Sequence, residues 1–164
     1  MAIQVGEKLP SGTLKVADAD GIRDVTTDRL FGGRKVVVFA VPGAFTPTCS
    51  AKHLPGFVQN ADAIRAKGVD AIVCLAVNDA FVMGAWGRDQ KTAGKVRMMA
   101  DGSADFTKAT GLTLDLSARG MGLRSNRYSM LVKDGVVKTL NIEAPGKFEV
   151  SDAETMLSQV RAAG

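Results

Sequence analysis

The chain has almost nothing from which a metal centre or a disulfide scaffold could be assembled: two cysteines, Cys49 and Cys74, and one histidine, His53, in 164 residues. That count excludes a disulfide-rich secreted domain and a four-thiolate metal site. Cys49 and His53 are spaced like half a zinc site, but no second pair of ligands stands at a matching interval, so no metal is expected. Long apolar runs are missing as well. The longest one is broken by Pro42 and Gly43 after Val41, short of the eighteen or more residues of a membrane-spanning helix. Aromatic residues make up only 5%, and the 21 Lys and Arg fall nowhere in a block of five or six. The net charge of +4 is therefore read as a solvated surface; a nucleic-acid face would add a basic stripe or a stacking platform. Two unpaired thiols suit a reducing compartment. The opening Met-Ala-Ile-Gln-Val-Gly-Glu-Lys resembles neither a secretory leader nor an Arg-rich presequence, so a cytoplasmic location is expected.

What remains is an ordinary globular composition, 46% hydrophobic and 23% charged, at a length that fits one domain over residues 1–164. Short alternating pieces such as Thr13-Leu14-Lys15-Val16, set among glycines, predict an N-terminal β-hairpin or meander at a sheet edge. Val36 to Val41 and Ala71 to Val77 are continuous, β-branched apolar runs, the pattern of strands buried on both faces. A helical spacing of Phe57, Ala61 and Ile64 follows the first, with Pro55 expected to kink it near its middle. Asn78 is the expected cap of a helix carrying Phe81, Val82, Ala85 and Trp86 after the second. Val96–Ala100 reads as a strand and Ala104–Thr110 as a short helix stopped by Gly111. Tyr128–Lys133 reads as a strand joined through Asp134-Gly135 to Val136–Leu140. Ser151-x-x-Glu154 predicts a capping box for a last helix burying Ala153, Met156, Leu157 and Val160. Phe45, Phe81 and Trp86 are assigned to the core. Crossed parallel strands followed by an antiparallel hairpin imply an α/β fold, a mixed central sheet with helices on both faces. A thioredoxin-like arrangement fits, and the pattern alone leaves a flavodoxin-like one open.

The most informative segment is Pro42-Gly43-Ala44-Phe45-Thr46-Pro47-Thr48-Cys49, which drops a cysteine into the first turn after the buried run. With Thr46 as N-cap and Pro47 as the first helical residue, Cys49 is the third, among unpaired amides and at the positive end of the helix dipole. Such settings lower a thiol pKa from about 8.5 to roughly 3.5–7.5 and make a nucleophile. A free cysteine is more often a small buried hydrophobe, but a strand-to-helix loop at the carboxyl end of a sheet is where α/β proteins place functional groups. Cys74, inside Ile72-Val73-Cys74-Leu75, is by contrast read as a buried strand residue. His53 lies one turn beyond Cys49 on the same helix face and is read as packing beside the site, tuning charge or hydrogen bonding. Gly120-Met121-Gly122 lacks the third glycine of a dinucleotide fingerprint, and Gly94-Lys95 lacks the upstream glycine of a phosphate loop, so no nucleotide is expected.

Pro42-x-x-x-Thr46-x-x-Cys49 resembles the active-site loop of the peroxiredoxins. His53-Leu54-Pro55-Gly56-Phe57, Val77-Asn78-Asp79-Ala80-Phe81 and Arg127-Tyr128-Ser129-Met130 are similar, in the same order, to the peroxiredoxin 5 subfamily. The resemblance spans nearly the whole chain and implies a thioredoxin-like fold and a thiol peroxidase without a cofactor. It implies Cys49 as the peroxide-reacting sulfur, Pro42 as its shield, and Thr46 and Arg127 as groups that bond the sulfur or the peroxide oxygens. Arg127 is selected over Arg124 by this likeness. It further implies a homodimer built through the active-site loop and the helix after Asn78. With no cysteine beyond Cys74, a one-cysteine cycle is expected, regenerated by glutathione with glutaredoxin or by thioredoxin. A redox sensor that reacts once without turnover is the alternative, while a disulfide oxidoreductase is disfavoured for lack of Cys-x-x-Cys.

Overall fold

A computed structural model of the chain describes residues 2–18 and 21–163. The N-terminal hairpin pairs β1 (Thr13–Asp18) with β2 (Gly21–Thr26), and Thr26 caps the short α1 (Thr27–Phe31) by accepting from Arg29 N–H. Strand β3 (Lys35–Val41) is buried from Val36 onward. It leads through the Cys49 loop into α2 (Leu54–Arg65), and β4 (Ala71–Ala76) returns beside it, buried at every position. Next come α3 (Ala80–Asp89), β5 (Arg97–Ala100) and α4 (Asp105–Thr110), which ends at Gly111 with φ +76°. A small hairpin of β6 (Thr113–Leu116) and β7 (Gly122–Ser125) stands apart from the main sheet and was not foreseen from the glycines around it. The chain closes with β8 (Tyr128–Lys133), β9 (Val136–Ile142) and α5 (Ala153–Ala163).

The main sheet runs β2-β1-β5-β4-β3-β8-β9. Strands β3, β4 and β5 are parallel and are crossed by α2 and α3; β1 and β8 add antiparallel neighbours on either side. A flavodoxin-like sheet is parallel throughout, so these flanks decide against it. The strand period of two divides β3 between two cores. Val37, Phe39 and Val41 face residues of α2, α3 and α5, whereas Val36, Val38 and Ala40 face Leu30 and Phe31 of α1 and Phe106 of α4. Helices on both faces therefore follow from one uninterrupted apolar strand. The β8–β9 turn is as expected, with Asp134 and Gly135 both left-handed at φ +49° and +76°.

Three local expectations are corrected. The cap of α3 is Asp79, whose carboxylate accepts from Val82 N–H, while the Asn78 side-chain oxygen instead accepts from Ala44 N–H at 2.9 Å, in the Cys49 loop. The cap of α5 is Asp152, which accepts from Thr155 N–H and Oγ1, because the Ser151 hydroxyl is committed to Glu143 at 2.7 Å. Pro55 sits in the first turn of α2, where its missing N–H is harmless, and the irregularity lies just before it. Residues Cys49–His53 form a π-helical turn closed by Leu54 N–H to Cys49 carbonyl. Trp86 is fully buried as expected, but Phe45 and Phe81 are 54% and 77% exposed and belong to the surface. Among the described residues no helix is long and apolar enough to cross a membrane.

Candidate active site

Cys49 lies at the carboxyl end of β3, where the sheet stops and the next helix begins. Pro47 is helical, and Ser50 N–H donates to the Thr46 carbonyl at 2.9 Å, so Thr46 does occupy the N-cap position. Its side chain does something else: Thr46 Oγ1 donates to the Gly43 carbonyl at 2.6 Å, folding the loop on itself and leaving the hydroxyl lone pairs free to accept. Ala44 is tied to Asn78, and the Pro42 carbonyl accepts from Arg124 Nη1 at 3.4 Å. Space at Gly43 is tight. A Cβ there would lie 3.2 Å from both Arg124 Nη1 and Thr46 Cγ2. From the other side, Trp86 Nε1 donates to Ser50 Oγ at 3.0 Å, linking α3 to the turn that carries the cysteine.

The Cys49 sulfur is fully buried, yet it faces a charge. Arg127, immediately before β8, donates from Nη2 to Cys49 Sγ at 3.1 Å and from Nη1 to His53 Nδ1 at 2.9 Å. A guanidinium has donors only, so both the sulfur and Nδ1 must accept. The other ring nitrogen, Nε2, lies 3.0 Å from the Ser151 carbonyl, an acceptor only, so it carries the proton. These two contacts fix the tautomer and keep the imidazole neutral. Burial, together with the positive charge of Arg127, pushes the His53 pKa down to about 3. The Phe148 ring lies 4.9 Å from the His53 ring and 5.8 Å from the Arg127 guanidinium carbon, roofing both. Phe39 and Phe57, stacked at 4.1 Å, pack against His53 from within. A cation held by an aromatic face beside a neutral histidine thus turns its donors toward the sulfur and toward the space beside it.

Four residues singled out in the sequence therefore occupy one locality, with Cys49 and Arg127 in direct contact and Pro42 and Thr46 in the loop above. His53 is drawn into the same network. Arg124, passed over in favour of Arg127, touches the Pro42 carbonyl rather than the sulfur. Cys74 is buried in β4 opposite Phe39. Burial pushes its thiol well above its ordinary range, the charge of Cys49 adds to the rise, and Arg127 opposes it. Phe148 and Glu143 were not singled out in the sequence, and Ser151 was read there only as a helix cap. Ser151 is 98 residues from His53, and no local pattern marks such a pairing.

Residues 4–157 match the family described as Redoxin. Peroxiredoxin-2E-2, chloroplastic, of Oryza sativa subsp. japonica is 54% identical over 161 residues, covering 94% of this chain and 71% of that relative. The chain belongs to the peroxiredoxins. Their members are peroxidase oxidoreductases, and the fold of this peroxiredoxin is the thioredoxin-like one. Reduced Prx3 of Vibrio vulnificus, solved in complex with hydrogen peroxide, superposes with a TM-score of 0.92 at 54% identity over 96% of this chain and 99% of that one. Peroxiredoxin 5 of Alvinella pompejana is more distant, at 32% identity and a TM-score of 0.86 over 98% and 99% of the two chains. Relatives thus carry type 2 as well as type 5 names.

Proposed function

We propose that this peroxiredoxin is of the type 5 kind and reduces hydrogen peroxide and small alkyl hydroperoxides through Cys49. The observation that carries the reading is the 3.1 Å contact between Arg127 Nη2 and Cys49 Sγ, which supports an anionic sulfur held in place. The thiolate attacks the terminal peroxide oxygen, so that an S–O bond forms as the O–O bond breaks. Sulfur is oxidised by two electrons to a sulfenic acid, the two peroxide oxygens are reduced by one each, and the departing oxygen, which keeps the O–O bonding pair, takes a proton and leaves as water or an alcohol. Negative charge moves from sulfur to that oxygen. Arg127 and the Thr46 hydroxyl, with the first-turn amides, stabilise the charge where it develops, and Pro42 screens the sulfur from water. The Vibrio vulnificus relative, solved with hydrogen peroxide, supports the substrate class.

Two thiols of an external reductant return the sulfenic acid to the thiol, forming their own disulfide and releasing water. The buried Cys74, its thiol pushed up, is poorly suited to attack, which favours a one-cysteine cycle fed by glutathione with glutaredoxin or by thioredoxin. The exposed Phe45 and Phe81 suit a homodimer formed through the Cys49 loop and α3. Two free thiols suit the reducing cytoplasm, while the chloroplastic names of some relatives make cell fractionation the relevant check. The test is peroxide consumption with each reductant. Wild type and Cys74→Ser should turn over many equivalents and Cys49→Ser none. Consumption that stops near one equivalent in wild type would mark a redox sensor, and loss of turnover in Cys74→Ser would make Cys74 the resolving thiol.

A further inference from the structure

We propose that Glu143, at the end of β9, is a positioning residue of the peroxidase site, acting through the loop that it folds. The proposal rests on the peroxidase reading of Cys49 given above. Glu143 is buried, and its carboxylate gathers a whole segment. It accepts from Glu149 N–H on both oxygens at 2.9 Å, from Val150 N–H at 2.8 Å, and from Ser151 N–H at 2.8 Å and Oγ at 2.7 Å. A carboxylate is the side chain suited to such a place, because it offers acceptors alone to converging donors. Burial by itself would raise its pKa, but the Ser151 hydroxyl and the amides of Glu149, Val150 and Ser151 bring it below the ordinary value.

What this clamp holds is the far side of the cysteine site. The segment it closes carries Phe148, which roofs His53 and Arg127, and Ser151, whose carbonyl receives the proton on His53 Nε2. That bond bares His53 Nδ1 for Arg127 Nη1, which in turn aims Nη2 at Cys49 Sγ. The backbone closes the circuit, since Glu143 N–H donates to the Arg127 carbonyl at 2.9 Å. One residue thus fixes Arg127 at its main chain and, through Ser151 and His53, at its guanidinium. Glu143→Gln keeps only one acceptor oxygen, so its amide donor must be turned either toward Glu149 N–H at the Oε1 position or toward the four donors gathered at Oε2. The Ser151 carbonyl then withdraws, His53 loses its single tautomer, and Arg127 loses the partner that orients its fork.

His53 is the only histidine in the chain and Trp86 the only tryptophan, so each gives an unambiguous signal. The experiment records imidazole nitrogen NMR of reduced Glu143→Gln, Glu143→Asp and wild type. It is paired with stopped-flow tryptophan fluorescence during hydrogen peroxide addition. Wild type should show one neutral tautomer protonated at Nε2. Glu143→Gln should show mixed tautomers and a second-order rate lower by about 10–100-fold, the scale of a small misplacement of a catalytic group. Glu143→Asp should recover part of both. Ile64→Val, a core change in α2, should lower stability without altering the tautomer or the rate. Glu143→Gln with wild-type tautomer and rate overturns the proposal, and so does a slower Glu143→Gln whose His53 spectrum is unchanged. Should Glu143→Gln not fold, Ser151→Ala, which keeps the carbonyl and removes one donor, should shift the same spectrum and slow the reaction a few-fold; an unchanged spectrum overturns the proposal equally. Peroxide consumption by Cys49→Ser would instead strike the peroxidase reading.

Discussion

At the scale of single residues, the site depends on a histidine that stays neutral. The folded-state pKa of His53, about 3, lies below its ordinary 6.5 because the ring is buried and Arg127 is in contact with it. Between those values the unfolded chain binds a proton that the fold excludes, so stability rises with pH there. It is lost as pH falls below about 6.5, by about 1.4 kcal/mol per pH unit once the unfolded histidine is charged. Glu143 adds in the same direction, but only as pH drops through and below its ordinary 4.5, since its folded value is depressed. Urea midpoints at pH 7, 6 and 5 should fall steadily for wild type and stay nearly level for His53→Gln. Parallel slopes would show that His53 titrates freely. Arg127 makes a second test: Arg127→Lys keeps the charge but cannot serve Cys49 and His53 at once from a planar fork, and should lower the peroxide rate by about 100-fold.

Among the elements, the decisive one is the joint between β3 and α2. The continuous apolar run Val36–Val41 made the strand legible, and Thr46-Pro47 made the helix start legible, because both signals are local. The π-helical turn at Cys49–His53 was not. It lies just ahead of Pro55, whereas the sequence pattern placed the disturbance at the proline itself. Asn78 is similar. By composition it is a good cap, but Asp79 next to it takes that task and Asn78 secures the Cys49 loop at Ala44. Asn78→Ala should leave the Ala44 amide without its acceptor, at about 1–3 kcal/mol, a fall in melting temperature of several degrees for a chain of this length. Asn78→Asp keeps an acceptor and should melt near wild type; equal loss in both would show that the bond is dispensable.

Over the whole molecule, Phe45 and Phe81 are exposed although their sequence surroundings read as core. Phe45 sits at φ +62° in the Cys49 loop with its ring 6.4 Å from that of Trp86, and Phe81 stands in the first turn of α3. Two large apolar rings on elements that support the site form the kind of surface a second copy covers. If the proposed homodimer forms through this surface, wild type should sediment as a dimer and Phe81→Glu as a monomer, with peroxide activity reduced if the neighbour steadies the loop. Wild type already monomeric at micromolar concentration would defeat the homodimer.

The sequence by itself determined what depends on near neighbours: the alternation of strands and helices, the cysteine placed in the first turn after a buried strand, the Asp134-Gly135 reversal and the burial of Cys74. The resemblance carried by four short blocks added Arg127. Only tertiary structure decided which groups meet that arginine. His53 is about ninety or more positions from Glu143, Phe148 and Ser151, and the hydrogen bonds that fix a tautomer or gather a loop exist only once β9 has paired with β8 and α5 has packed against α2. A periodicity reports which way a side chain faces; a hydrogen bond between residues 98 positions apart leaves no period to read.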